Sequence, residues 1–191
     1  MPLHVFTIGH STHPLDEFLH LLAAHGVKRL VDVRSIPRSR HNPQFNADAL
    51  PVPLSAAGVN YVALPELGGR RHTRKDSINA GWRNDSFRGY ADYMLTAGFE
   101  QGLARLQALA AERPSAIMCA ESVPWRCHRS LIADALLVRG IAVDHIMTPR
   151  HCNPHRLTSF AQVDGTRLTY PVPSAAAPVE EMFHADGSPR H

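Results

Sequence analysis

Residues 3–33 read LHVFTIGHSTHPLDEFLHLLAAHGVKRLVDV, and their order of apolar run, turn, amphipathic run and second apolar run decides the fold. Leu3 to Ile8 is a short buried strand, and Gly9-His10-Ser11-Thr12-His13-Pro14 is the turn out of it. Pro14 stands near the first helical position, Asp16 and Glu17 fall in the first turn, and Leu15, Phe18, Leu19 and Leu22 share a face. Each favours a helix: proline is pre-set for the first turn, carboxylates complement its amino-terminal partial charge, and Gly26 ends it. Arg29 to Val33 lacks solvent-facing alternation, as expected of a strand covered on both faces of a parallel sheet.

The same grammar repeats downstream. Asn46 to Ala57 holds a short helix interrupted by Pro51 and Pro53, Val59 to Leu64 is a third strand, and Pro65 to Asp85 is a long polar loop. Loops above about 15 residues are usually functional lids or disordered. Ser86 is expected to cap a helix through Leu95, and Phe99 to Ala111 is a further helix with Leu103, Leu106 and Leu109 on or near one face. Ala116 to Ala120 is a strand, Cys127 to Arg139 a helix ended by Gly140, and Ile141 to Met147 another strand. His151 to His155 reads as a polar loop with a surface thiol at Cys152. Leu157 to Val163 and Thr166 to Tyr170 flank Asp164-Gly165, a hairpin signal. The expectation is an α/β fold: a single domain over 1–171 with a mostly parallel sheet, flanking helices and a C-terminal β-hairpin. Residues 172–191 lack periodicity and read as a loose tail.

Composition bounds the class. The chain has 191 residues, 44% hydrophobic and 19% charged, which excludes collagen, coiled coil and bulk disorder. No apolar run approaches the roughly 18 residues of a membrane span, and Met1-Pro2-Leu3-His4 lacks the features of a secretory signal, so a soluble cytoplasmic protein is expected. Three cysteines in a chain able to build its own core argue for free or ligating thiols at Cys119, Cys127 and Cys152. The net charge is only +3, but Arg34, Arg38, Arg40, Arg70, Arg71, Arg74 and Lys75 face only Asp48 and Glu66 between positions 34 and 75. Such clustering attracts anionic ligands, whether phosphates or nucleic acid.

In open parallel sheets ligands bind beyond the carboxyl ends of the strands. That rule gathers Gly9-His10-Ser11, Asp32-Val33-Arg34-Ser35, Cys119-Ala120-Glu121 and Cys127-His128-Arg129. Three chemistries suit this set. In the first, His10, Asp32 or Glu121 is an acid or base, while Arg34 and Arg129 clamp phosphate and the loop from Gly68 to Lys75 covers or tracks the substrate; the same paired opposite charges equally suit a structural network that orients the loops. In the second, Cys119 or Cys127 is a nucleophilic thiol, since a strand-end cysteine followed by an arginine and a helix amino terminus resembles the layout of rhodaneses and cysteine phosphatases. Glu121 and Pro124 depart from that layout, placing a negative charge in the cradle and removing an N–H donor. In the third, His10, Cys119, Cys127 and His128 hold zinc, although neither a Cys-x₂₋₄-Cys nor a His-x₃₋₅-His pair is present. The catalytic candidates are therefore His10, Asp32, Glu121, Cys119 and His128. The substrate-binding candidates are Ser11, Arg34, Gly68, Gly69, Cys127 and Arg129, with no metal ligand assigned. Among aromatic residues that could stack on a base, Trp125 is expected to be exposed, ahead of Tyr93 and Phe45.

Thr7-Ile8-Gly9-His10-Ser11, Asp32-Val33-Arg34 with Pro37 and Ser39, Leu67-Gly68-Gly69, Phe87 and Tyr93, Cys119-Ala120-Glu121 and Cys127-His128-Arg129 together resemble the family called domain of unknown function 488. The hairpin ending at Tyr170 also resembles it. The resemblance implies one α/β domain and one site, and some members carry a DNA-repair label. The leading expectation is hydrolysis of a phosphate-bearing substrate, most plausibly nucleic acid or nucleotide. The alternatives are a non-catalytic nucleic-acid-binding module and a thiol or sulfur-transfer enzyme.

Overall fold

The computed structural model describes residues 2–174; the greater part of the expected tail, 175–191, lies outside them. Five parallel strands form the sheet: β1 (His4–Gly9), β2 (Arg29–Asp32), β3 (Asn60–Ala63), β4 (Ser115–Cys119) and β5 (Ala142–Thr148). A sixth, β6 (His151–Pro154), pairs antiparallel with β5, giving the order β3-β2-β4-β1-β5-β6. The helices are α1 (Leu15–Ala24), α2 (Pro51–Ala56), α3 (Asp85–Tyr93), α4 (Ala97–Glu112) and α5 (Arg129–Leu137). The hairpin strands β7 (Gln162–Asp164) and β8 (Arg167–Thr169) form a separate two-stranded sheet. No helix among the described residues is long and apolar enough to cross a membrane.

Every residue of β2 and β4 is buried, because helices cover both faces of these central strands. One core layer joins Phe18 and Leu22 of α1, Leu54 of α2, and Phe45 to Leu30, Met118 and Ile146 of the sheet. The other joins Tyr90 of α3, Phe99, Leu103 and Leu106 of α4, and Leu131 and Leu136 of α5 to Val5, Val31 and Ile117.

Three local readings are corrected by the structure. His151 to Pro154 is an edge strand rather than a loop, built by pairing with the outer side of β5, and Cys152 is half-buried with its sulfur 3.3 Å from His25 Nδ1. Proline's missing N–H is tolerated on such an edge. Asn84, not Ser86, caps α3, its side-chain oxygen accepting from the N–H groups of Ser86 and Phe87. The prolines around position 50 do not interrupt a helix but start one, since Pro51 takes the first turn, where no N–H is missed.

Buried Asp134 of α5 fastens the C-terminal segment. It accepts from Tyr170 Oη at 2.8 Å, from the hydroxyl and N–H of Thr158, and from His155 Nε2 at 2.7 Å. His155 in turn meets His145 at 3.0 Å. Burial first, then the neighbouring His155 and Arg129, push the His145 pKa down to about 4. Between pH 6.5 and about 4 the unfolded chain binds a proton here that the folded chain excludes. Stability therefore falls as pH drops through that window, by about 2–3 kcal/mol from this residue. Urea unfolding at pH 7 and pH 4.5 should show that contribution vanish in His145→Gln; an identical acid loss in both proteins would contradict it.

Candidate functional site

The carboxyl ends of three neighbouring strands lie level, with Asp32 registered to Met118 and Gly9 to Cys119. The chain leaves β1 through α1 towards one face of the sheet and leaves β4 through α5 towards the other. Such a switch point opens a crevice at the strand ends. The loops after β1 and β4 are pinned together there: His10 N–H donates to Cys119 O and Ser11 N–H to Ala120 O. Gly9 permits the contact, because a Cβ at this position would overlap the backbone of Glu121 and Ser122. A cleft of about 310 Å³ opens beside them, lined by Arg34, Ser35 and Ile36 after β2, Gly69 and Arg70 after β3, and Ser86 and Phe87 of α3. Cys119, Ala120, Glu121, Arg126, Cys127 and His128 complete its wall.

The centre of this wall is a pair of thiols. Cys119 Sγ and Cys127 Sγ lie 2.6 Å apart, both buried. Arg129, only 1% exposed, donates from Nε to Cys119 Sγ at 2.9 Å, from Nη1 to Thr7 Oγ1 at 3.0 Å, and from Nη2 to Glu121 O at 2.6 Å. No carboxylate touches this guanidinium among the described residues. A buried cation needs a counter-charge, and a thiolate is the group in contact that can supply one. His128 Nε2 sits 2.9 Å from Val33 O, which only accepts, so Nε2 carries the hydrogen. Its Nδ1 faces Cys127 Sγ at 3.5 Å, and the Arg129 N–H at the start of α5 donates to the same sulfur at 3.5 Å. Burial alone would raise the Cys127 thiol. Hydrogen bonds from Cys119 and His128, with the charges of His128 and Arg129, instead hold it well below its ordinary value. Burial and the shared hydrogen with Cys127 push Cys119 well above its own. The two thiols are therefore unequal, Cys127 being the more readily ionised.

The remaining candidates divide. Arg34, Gly69, Glu121 and His128 line the cleft with the thiols, whereas His10, Ser11, Asp32, Gly68 and Arg129 are not part of its wall. Asp32 receives Arg34 Nε at 2.8 Å, Arg34 Nη2 at 2.6 Å and Tyr61 Oη at 2.6 Å, all buried or half-buried. His10 is stacked on Phe45. Its Nδ1–H donates to Ser11 O, and its bare Nε2 accepts from Arg34 Nη1 at 3.2 Å. Burial, reinforced by Arg34, lowers its pKa. Both ring nitrogens are spent. Ser11 adopts a left-handed backbone in this loop. Gly68 and Gly69 serve close approach: a side chain at 68 would meet Ser35, and one at 69 would overlap the His128 ring.

The long basic loop is tied down rather than free. Arg71 donates to Gly68 O and lies 3.6 Å over the Tyr93 ring, and Arg74 pairs with Asp76. Buried Asp92 accepts from Arg74 N, Ser77 Oγ and Asn79 Nδ2. This leaves Arg70 and Arg126 as cleft-lining cations without an acidic partner among the described residues. Trp125 is 66% exposed, whereas Phe45 is fully buried. The strand-end rule gathered Ser35, whereas sequence reasoning missed Ile36 and Ser86 as cleft residues and did not place Phe87 there. The zinc set is not assembled: His10 turns both nitrogens away from the thiols, and no three His, Cys, Asp or Glu side chains among the described residues are placed to hold a metal.

Fold and site together define a mostly parallel α/β protein with a buried dithiol at its switch point. The sequence model of the family described as Domain of unknown function DUF488 matches residues 14–136, and the chain belongs to that family. The match includes Cys119, Cys127, His128 and Arg129, and leaves out the Thr7-to-Ser11 segment and the hairpin. No curated protein and no solved structure matches the chain.

Proposed function

We propose that the chain is a dithiol enzyme that reduces an anionic disulfide, with Cys127 as nucleophile and Cys119 as the resolving thiol. One observation carries this reading: two thiols 2.6 Å apart on a buried guanidinium that has no carboxylate partner. The Cys127 thiolate attacks one sulfur of the substrate R–S–S–R′, the S–S bond breaks, and R′S⁻ leaves. Cys119 then loses its proton to the leaving thiolate and attacks Cys127 Sγ. The enzyme disulfide forms and RS⁻ departs, so the substrate gains the two electrons the dithiol loses. An external thiol reductant restores the pair. Arg70 and Arg126 at the cleft favour a charged substrate, while Ile36 and Phe87 offer an apolar contact.

Alkylation tests this directly. The pH midpoint for iodoacetamide should fall well below the roughly 8.5 of an ordinary cysteine. Anionic iodoacetate should gain on neutral iodoacetamide by about tenfold relative to free cysteine at low salt, an advantage that salt erodes. With an anionic aryl disulfide, Cys119→Ser should stop at a mixed disulfide on Cys127. An ordinary midpoint would overturn the reading.

The hydrolytic, phosphate-directed reading keeps one supporting observation, the same two cations. Its acid–base groups are poorly placed: Asp32 and His10 are saturated by Arg34, Tyr61 and Ser11. Glu121, at the exposed rim, accepts from Val123 N–H. Anisotropy titrations with DNA and RNA across a salt series separate this reading, because contacts to several phosphates give a steep salt slope.

A further inference from the structure

Behind the thiols runs an unbroken line of buried polar groups, which begins at the Asp134 that fastens the C-terminal segment. Arg129 Nη1 meets Thr7 Oγ1 at 3.0 Å, Thr7 Oγ1 meets His145 Nδ1 at 2.7 Å, His145 Nε2 meets His155 Nδ1 at 3.0 Å, and His155 Nε2 meets Asp134 Oδ1 at 2.7 Å. These groups come from β1, β5, α5 and the segment after β6. Matching each donor to an acceptor along the line assigns the protons between its two ends. A guanidinium only donates, so Thr7 accepts from Arg129; its own hydrogen meets no other acceptor among the described residues and goes to His145 Nδ1. That nitrogen is therefore bare, and His145 carries its hydrogen on Nε2. The hydrogen points at His155 Nδ1, which must also be bare, and the Nε2–H of His155 is left to donate to Asp134. The low pKa of His145 fits, since an added proton there would oppose the Thr7 hydroxyl.

Both imidazoles border a second cavity of about 420 Å³ beside Trp82 and Trp125. Neither has a ring nitrogen left for a substrate, so they supply no acid or base to that cavity. Their polar atoms are committed to Thr7, to each other and to Asp134 instead.

We propose that Thr7, His145 and His155 are positioning residues, a one-way hydrogen-bond chain anchored on Asp134 that holds the Arg129 guanidinium against Cys119 and so sets the ionisation of the dithiol. This rests on the dithiol reading above and assigns its regulation to residues that never touch substrate. With Nη1 anchored to Thr7, and Nη2 to Glu121 O, the fork cannot swing away, and Nε stays on the sulfur. Without the anchor, Arg129 keeps its charge but loses its fixed direction.

The test uses the full chain. Thr7→Val matches the shape of threonine and removes the hydroxyl, whereas Thr7→Ser keeps it. Thr7→Val should move the midpoint of the iodoacetamide pH profile up by about one unit and slow alkylation at pH 6 about tenfold. Thr7→Ser should stay within about twofold of the parent. His145→Leu, which removes the acceptor of the Thr7 hydroxyl, should shift the midpoint in the same direction. Nitrogen-15 NMR of the unmodified protein at pH 7 should find His145 and His155 both as Nε2–H tautomers, and an Nδ1–H tautomer at either would overturn the proposal without any variant. A depressed parental midpoint that Thr7→Val leaves in place overturns this proposal alone. An ordinary parental midpoint overturns the dithiol reading and this proposal with it.

Discussion

Arg129→Met will cut the low-pH reactivity of the thiols sharply while leaving the protein folded. Hydrogen bonds to charged groups are worth about 1.5–3 kcal/mol net, so losing the guanidinium should reduce the thiolate population at pH 6 about ten- to a hundredfold. The iodoacetamide midpoint then moves up towards the ordinary thiol value. Stability follows a different rule. A buried charge stripped of its partner is expensive, but here the partner is a thiol that can take up a proton and become neutral. Methionine fills much of the arginine stem, and the carbonyls of Glu121 and Ser122 belong to exposed residues where water can replace the lost donors. Thermal unfolding should therefore change little near neutral pH, by less than about 1 kcal/mol. Arg129→Lys separates charge from geometry. An ammonium has the charge but not the fork that reaches Cys119, Thr7 and Glu121 together, so it should restore only part of the shift. A Met variant that unfolds yet keeps its reactive thiols when stabilised by osmolyte would refute the assignment.

The contrast between a functional and a structural arginine was hidden in the sequence. Arg34 and Arg129 both follow a strand end in an anionic-ligand pattern, and the sequence suits a phosphate clamp and a structural charge network equally at both. What separates them is three-dimensional. Arg34 meets a carboxylate two residues before it, at the end of β2, whereas Arg129 meets Thr7 across 122 positions of sequence and finds no carboxylate. The strand-end rule did bring together Cys119, Cys127, His128 and Arg129, because parallel strands fix which loops become neighbours. It could not give the 2.6 Å between the sulfurs, which depends on the 3-10 turn Pro124–Arg126 bringing Cys127 back over Cys119. The β-α-β start at 3–33 and the Asp164-Gly165 hairpin were legible because their signals are local. The strand His151–Pro154 was not, since it is short, polar and defined only by the free edge of β5. The line from Asp134 to Arg129 had no sequence signal at all, as its members are scattered from position 7 to position 155.

Arg34→Leu should destabilise the fold by about 3–5 kcal/mol, the usual result of leaving a buried carboxylate without its cation. Asp32 is 1% exposed, and the guanidinium gives it two of its side-chain hydrogen bonds. The same arginine also donates to Phe45 O and to His10 Nε2, so its loss takes a donor from four acceptor atoms. At roughly 2–4 °C per kcal/mol for a chain of this size, the melting temperature should fall by about 6–20 °C. Adding Asp32→Asn removes the orphaned charge. The double variant should then be more stable than the sum of the single changes, with a coupling of about 1–3 kcal/mol. A phosphate clamp predicts the opposite pattern: Arg34→Leu would keep its melting temperature and lose only ligand affinity, and Asp32→Asn would be independent of it. Arg34 does line the cleft. The bidentate bond to Asp32 decides between the two patterns, because four of the five guanidinium hydrogens are already committed inside the protein. Only the remaining Nη1 hydrogen is available to a substrate, enough to orient an anion and too little to hold one.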